Sequence, residues 1–432
     1  MNHGVLTQVV IVLALVGCCA AGGQTDGGAW NMDKDFFPIM PWDRPQDAKE
    51  LKGIAECNFT VTGFIKPELL PTAEKLGLRA IIANPVDREP WEKKWQDVPD
   101  EIIAPQIERL VKSAGNSRAV IGYYLNDEPG TPQFHALGKA VEALKKHAPG
   151  KLAYINLFPG YATIGAPDQS QLGADSFTEY LEKFVAEVKP DFLSYDDYMV
   201  TSSDNFLNRE RGAVYFKDLM EVRRVSQKHG IPFWNVVCSN RIRPYTTVPS
   251  PANLLFQAYT TLAAGGRGLS WYTYRDRGYG YAPLDPSGRR TDTWSYLQMV
   301  NRQMKVLGPM MNRLKSTGVF FTSPPNDACP ALPGRLVESV ESRASRQEFS
   351  DASPPIMVGE FEGEDGSDYV MLVNLSLEKP ANILLRARKD YSKREAISAQ
   401  DGSATPLDEK NGHWLVPGGG VLIRLLAPKK AD

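Results

Sequence analysis

From Phe36 to Leu314, short apolar runs alternate with amphipathic stretches. The hydrophobic period switches repeatedly between that of a buried strand and that of a helix. Apolar runs over 36–42, 59–65, 77–84, 119–125, 151–158, 190–198, 231–238 and 268–274 predict strands. Helical spacing fills 46–57, 69–76, 101–114, 131–147, 176–188, 214–229, 251–264 and 293–314. Eight such units in about 280 residues predict an α/β fold, a (β/α)8 TIM barrel. The alternative, a doubly wound open sheet, would place a Gly-rich phosphate loop after the first strand, and none follows residue 42. Beyond Lys315 the rhythm becomes all-β. Strand-like runs over 318–322, 356–361, 369–374, 381–386, 413–416 and 420–426 are separated by turns such as Glu364-Asp365-Gly366 and Asn411-Gly412, which predicts a sandwich. The expected organisation is a leader over 1–22, a barrel over 31–314 and a β-sandwich over 315–432.

The most informative run is Ala119 to Gly130. Residues 119–125 are apolar and aromatic without a charge, as a strand covered on both faces should be. Asn126, Asp127 and Glu128 follow, Pro129-Gly130 breaks the strand, and a helix begins at Thr131. In a βα barrel the C-terminal strand ends carry the chemistry. The other polar groups predicted there are Asp43, Asn84, Asn156, Tyr195, Asp196, Asp197, Tyr198, Asn235, Ser239, Asn240, and the set Trp271, Tyr272, Thr273, Tyr274, Arg275 and Asp276. His135, His147 and His229 lie on helices and read as solvated or capping groups. No Ser/His/Asp set is evident.

Paired carboxylates with aromatic platforms suit glycoside cleavage. One carboxyl protonates the leaving oxygen, which requires a pKa raised by an apolar wall or a neighbouring like charge. Glu128, beside Tyr123, Tyr124 and Asp127, is the candidate acid. Asp196 and Asp197 are candidates for the second carboxylate, and strand alternation lets only one of two neighbours point inward. Trp234, Trp271, Tyr272 and Tyr274 are candidate sugar platforms. Asp43, Asn126, Asp127, Tyr195, Tyr198 and Asn235 are further candidate substrate contacts.

Composition adds limits. A net charge of −2 gives no footprint for nucleic acid, and 10 % aromatic residues suit both stacking on sugars and core filling. Cys57, Cys238 and Cys329 are scattered and read as free buried thiols. No Cys/His cluster supports zinc, no ligand spacing supports a structural divalent ion, and no cofactor is expected. The apolar run from Val5 to Gly17 has signal-peptide length. Leu15-Val16-Gly17-Cys18 matches a lipobox pattern with Cys18 as the lipidation site, and cleavage after Ala20-Ala21 is the rival. Either way an exported protein of the cell envelope, periplasm or exterior is expected, touching membrane only through a lipid anchor.

Asn126-Asp127-Glu128-Pro129 resembles the Asn-Glu-Pro acid/base signature of the clan A glycoside hydrolases, with one inserted Asp. Ser194-Tyr195-Asp196-Asp197-Tyr198, Ile231-Pro232-Phe233-Trp234 and Gly268 to Tyr274 resemble segments of exported bacterial barrels in the β-galactosidase-like part of that clan. The resemblance covers the barrel, about two thirds of the chain, and an appended β-sandwich is common there. It implies that Glu128 is the acid/base. The clan's glutamate nucleophile at the end of the seventh strand does not carry over, because 231–240 contains no carboxylate. Asp196 or Asp197 then serves as nucleophile or inverting base, or Asp43 does so from the first strand, or the barrel binds glycan without cleaving it. A third class, a lyase with Tyr198 or Tyr272 as base, also fits the barrel.

Overall fold

A computed structural model describes residues 33–83, 95–163, 170–200, 212–244, 246–343 and 353–428. The leader with Cys18, Asn84 and the end of 429–432 lie outside the described residues. The first half is eight strand–helix units: β1 (Ile39–Pro41), α1 (Ala48–Glu56), β2 (Val61–Ile65), α2 (Leu70–Lys75), β3 (Arg79–Ala83), α3 (Asp100–Ser113), β4 (Val120–Asp127), α4 (Phe134–His147), β5 (Leu152–Leu157), α5 (Phe177–Val188), β6 (Leu193–Asp196), α6 (Gly212–His229), β7 (Phe233–Cys238), α7 (Pro251–Ala263), β8 (Leu269–Tyr272) and α8 (Asp292–Met311). All strand pairs are parallel, in the order β1-β8-β7-β6-β5-β4-β3-β2. Thr60 closes the seam between β1 and β2. Its N–H donates to Ile39 O at 3.0 Å, and its Oγ1 accepts from Ile39 N at 2.8 Å.

Local chemistry sets the helix starts. Asp47, Ser176 and Ser250 each accept a hydrogen bond from a first-turn backbone N–H of α1, α5 and α7, the usual N-cap device. Alternate strand positions fill the barrel with large side chains, among them Met40, Trp42, Tyr154, Phe192, Trp234 and Val236. The barrel is therefore a packed core that opens only at its C-terminal mouth.

The second half runs β9 (Leu314–Phe321), β10 (Val337–Arg343), β11 (Ile356–Gly363), β12 (Asp368–Asn374), β13 (Ala381–Ala387), β14 (Lys393–Ile397), β15 (Ala404–Pro406), β16 (His413–Leu415) and β17 (Gly420–Leu426). These form two antiparallel sheets, β15-β14-β17-β12-β11-β9 and β10-β13-β16, with a shared apolar core that includes Val337, Val358, Leu372, Ile383 and Ile423.

The two halves meet at α7. Every side chain from Asn253 to Ala263 is buried, because the helix lies between the barrel and the sandwich and has no solvent face. Glycines let the backbones approach there. A Cβ on Gly359 would come within 3 Å of the Ala263 carbonyl, and one on Gly420 would meet the Tyr259 ring and Leu372 O. The first obstacle is backbone and cannot rotate away. Gly359→Ala is therefore expected to destabilise by about 2 kcal/mol, read as a melting temperature several degrees lower; an unchanged value would show that the contact yields freely.

Candidate active site at the barrel mouth

β4 delivers two adjacent carboxyls to one cleft. Alternation would send Asp127 and Glu128 to opposite faces, but Glu128 has φ +47. A left-handed turn at a non-glycine residue costs roughly 1–2 kcal/mol. The neighbouring strand holds it, since Glu128 N–H donates to Asn156 O at 2.8 Å. Tyr180 OH fixes the following residue by donating to Pro129 O at 2.7 Å. Asp127 and Glu128 thus both line the cleft.

Asn156 on β5 joins them to β6. Its Nδ2 donates to Asp127 Oδ1 at 3.1 Å and to Asp196 Oδ1 at 2.8 Å. Its Oδ1 accepts from Ser194 Oγ at 2.9 Å, and Ser194 is in turn bonded to Tyr154 OH at 2.9 Å. That chain orients the amide so both its hydrogens face carboxylates. Glu128 and Asp196 are in direct hydrogen-bond contact, so one of the two holds a proton.

Burial raises all three acids, and neighbouring charge adds to it at Asp127 and Asp196. Burial pushes Asp127 up to about 7, with the charge of Glu128 adding to it, and Asn156 and Arg277 pulling the other way. Burial, then the Glu128 and Asp127 charges, holds Asp196 well above the usual carboxylate range. Burial raises Glu128, and its bond with Asp196 opposes the rise. This is the arrangement that keeps a carboxylic acid protonated near neutrality.

The cleft around them encloses about 290 Å³, at the lower edge of small-ligand pockets. Trp42 lines it, packed edge-on to Phe64 with centroids 4.7 Å apart. Tyr198 and Tyr272 line another side, stacked with centroids 5.1 Å apart and 24° between planes. Tyr161, Gln171 and Arg243 come from the loops after β5 and β7. These three were not singled out in the sequence; the signal available was the length and the Gly/Pro content of the loop after residue 158.

Several expected contacts lie elsewhere. Asp197 is fully buried, faces away from the cleft and contacts Asp218 on α6, because alternation on β6 gives the inward place to Asp196. Tyr195 is buried on that same outward face. Trp234 fills the barrel interior against Phe192, with centroids 4.9 Å apart. Trp271 points outward and donates from Nε1 to Asn301 on α8 at 3.0 Å. Tyr274 is buried behind the strand, accepting from Trp294 Nε1 at 2.9 Å. Asn235 donates to Thr261 on α7 at 2.9 Å. Asn126 donates to Gln133 at 3.2 Å. None of these lines the cleft. Of the named platform residues, Tyr272 alone does. Asp43 also stays out of the lining; it accepts from Arg275 N at 2.8 Å and pairs with Arg277 at 3.0 Å, tying down the loop after β8.

The inward side of β7 carries Trp234, Val236 and then Cys238. Cys238 is buried, its thiol donates to Asn240 O at 3.2 Å, and burial pushes it up to about 12. It is no thiolate at neutral pH. Among the described residues no cluster of His, Cys, Asp and Glu is arranged to hold a metal ion, and no helix is long and apolar enough to cross a membrane.

No protein-family model matches the sequence, and no curated protein matches it. Solved structures do match. A glycoside hydrolase family 5 structure from Bacteroides vulgatus ATCC 8482 aligns over 92% of this chain and 91% of its own, with a TM-score of 0.53 and 12% identity. A catalytic mutant of a GH42 beta-galactosidase from G. stearothermophilus aligns over 90% of this chain and 98% of its own, with a TM-score of 0.54 and 8% identity. A beta-galactosidase from the psychrophilic Marinomonas ef1 aligns over 62% of this chain at 11% identity and a TM-score of 0.47, and this chain spans 60% of its length. At such identities the likeness is one of fold. The chain is a (β/α)8-barrel protein with a C-terminal β-sandwich, the architecture that the first two of these glycoside hydrolases share with it.

Proposed function

We propose that this protein is a glycoside hydrolase acting on an oligo- or polysaccharide, with Glu128 as general acid and Asp196 as its partner carboxylate. The observation that carries this is the cluster of Asp127, Glu128 and Asp196 at the barrel mouth, Glu128 raised by burial and the two aspartates by burial and neighbouring charge, set beside the stacked pair Tyr198–Tyr272. A raised acid supplies the proton that a leaving alkoxide needs, and flat aromatic faces suit the apolar faces of sugar rings. Asp197 and Asp43 are engaged elsewhere, which leaves Asp196 as the second group. Glu128 and Asp196 stand closer in the free cleft than the about 5–5.5 Å of a retaining pair or the about 6.5–9.5 Å of an inverting pair, and the retaining spacing is the smaller opening from that contact. Retention, with Asp196 as nucleophile, is the stereochemistry we expect. The leader composition supports an exported protein, with either a lipid anchor at Cys18 or ordinary cleavage after Ala20-Ala21.

The test is hydrolysis of a panel of aryl glycosides and of plant, algal and host glycans, followed by reducing-end assay and NMR. Glu128→Gln should lose about 10³-fold on natural glycans but much less on nitrophenyl glycosides, whose leaving groups need little protonation. Equal losses on both would remove Glu128 from the acid's role. A second reading rests on β7, where the inward position at the strand end is the protonated thiol of Cys238: the cleft then binds glycan without cleaving it. Glycan affinity by calorimetry with no release from any substrate would favour that reading.

A further inference from the structure

We propose that Asp197 and Asp218 form a proton-sharing clamp that holds the Gly160 backbone and so sets the wall of the cleft, which makes both positioning residues. Asp197 is completely buried and Asp218 is 2% exposed. Asp197 comes from the outward side of the β6 end and Asp218 from α6, and their carboxyls are in hydrogen-bond contact. Asp197 Oδ1 accepts from Met199 N at 2.7 Å, and Asp218 Oδ2 accepts from Gly160 N at 2.7 Å. Asp197 Oδ2 is buried and no donor group reaches it, which leaves it free to carry the proton shared with Asp218. Two touching buried acids cannot both ionise. The charges around them are few: Lys217 and Glu221 act on Asp218 from α6 with opposite signs, and Asp197 in turn acts on the phenols Tyr195, Tyr215 and Tyr161.

Gly160 fits the clamp because it has no side chain. A Cβ there would lie within 3 Å of the Asp218 carboxyl. The residues on either side, Phe158, Pro159, Tyr161 and Ala162, all line the cleft. Tyr161 is near enough to Asp197, Asp196 and Glu128 for each charge to raise its hydroxyl further, beyond the effect of its own burial. The clamp thus stands one residue from a group in contact range of the proposed chemistry. It fixes where that wall stands, not the reacting bond.

The clamp is read without substrate, by hydrogen exchange of residues 158–163 in the full chain. Asp218→Ala should speed exchange of the Gly160 amide by tenfold or more, about the loss of one buried hydrogen bond. Asp218→Asn should keep protection, since its Oδ1 can accept from Gly160 while its Nδ2 donates to Asp197. Gly160→Ala, which keeps both acids but drives a Cβ against the Asp218 carboxyl, should behave like Asp218→Ala. Unchanged exchange in a folded Asp218→Ala or Gly160→Ala protein would overturn the clamp, as would Asp218→Asn exchanging as fast as Asp218→Ala. The kinetic arm rests on the hydrolase reading. There Asp218→Ala should raise KM by about tenfold with kcat little changed, with Asp218→Asn restoring KM. A loss confined to kcat would instead place Asp218 in the chemistry. Absence of turnover in the wild type would count against the hydrolase reading and leave the exchange result to decide the clamp.

Discussion

Asp196→Asn is expected to lower kcat by about 10⁴-fold while raising the melting temperature. The loss has two sources. The variant removes the group proposed to attack the anomeric carbon. It also removes the acid whose bond opposes the rise of Glu128, and so alters the protonation of the remaining carboxyl. Stability moves the other way because Asp196 is 2% exposed and crowded by Glu128 and Asp127. A neutral isostere relieves that repulsion and still accepts from Asn156, by about 1–2 kcal/mol. Unlike Glu128→Gln, the deficit should be similar for nitrophenyl and natural substrates, because attack is needed whatever leaves. Azide added to Asp196→Gly should restore release of the aglycone and give a glycosyl azide of inverted configuration. A loss below tenfold, or a variant less stable than wild type, would remove Asp196 from this role.

The second large effect is a pH-dependent gain in stability from Asp127→Asn. Burial sets the folded carboxyl at about 7, against about 3.9 in the unfolded chain. Between those values the folded state binds more protons than the unfolded state. Stability therefore falls as pH rises through this window, and the loss is complete above the folded value. Three units would amount to about 4 kcal/mol, and partial exposure of the carboxyl at the cleft reduces this to about 2–3 kcal/mol. The variant has no such group and keeps its contact to Asn156, whose Nδ2 can donate to an amide oxygen. Denaturant unfolding of the two proteins should give nearly equal stabilities at pH 4 and a gap of about 2–3 kcal/mol in favour of Asp127→Asn at pH 8. A gap of constant size across that range would show that Asp127 does not titrate in a low-dielectric site.

The same acids show where sequence reading succeeds and where it stops. The barrel strands were legible because each is a mostly apolar run with any charge near its ends, and each has a helical stretch behind it. In the sandwich, β10, β14 and β15 escaped notice. β10 reads Val-Glu-Ser-Val-Glu-Ser-Arg, with polar groups on its exposed positions. β14 carries Lys393, Arg394 and Glu395, and buries Glu395 at 3% exposure. Ion pairs to Lys393 and Arg424 make that tolerable, and a cross-strand partner cannot be seen along one strand.

At the site, local sequence determined that Glu128 follows a buried strand and precedes a breaker, and that carboxyls crowd two strand ends. It could not say which neighbour on β6 faces in, since period two fixes alternation but not phase. Phase came from closure of the barrel, which sent Asp196 to the mouth and Asp197 behind it. The aromatic residues followed the same rule. Trp234, Trp271 and Tyr274 looked like platforms because their strand ends carry aromatic residues; packing inside or behind the barrel consumed all three, and Tyr198 and Tyr272 remained to stack at the opening. The left-handed turn at Glu128, which brings Asp127 and Glu128 to one cleft, depends on a carbonyl from β5. The sequence by itself determined which residues were available for acid chemistry. Only the tertiary structure decided which of them meet, because hydrogen bonds from Asn156 and contacts between distant strands set their directions.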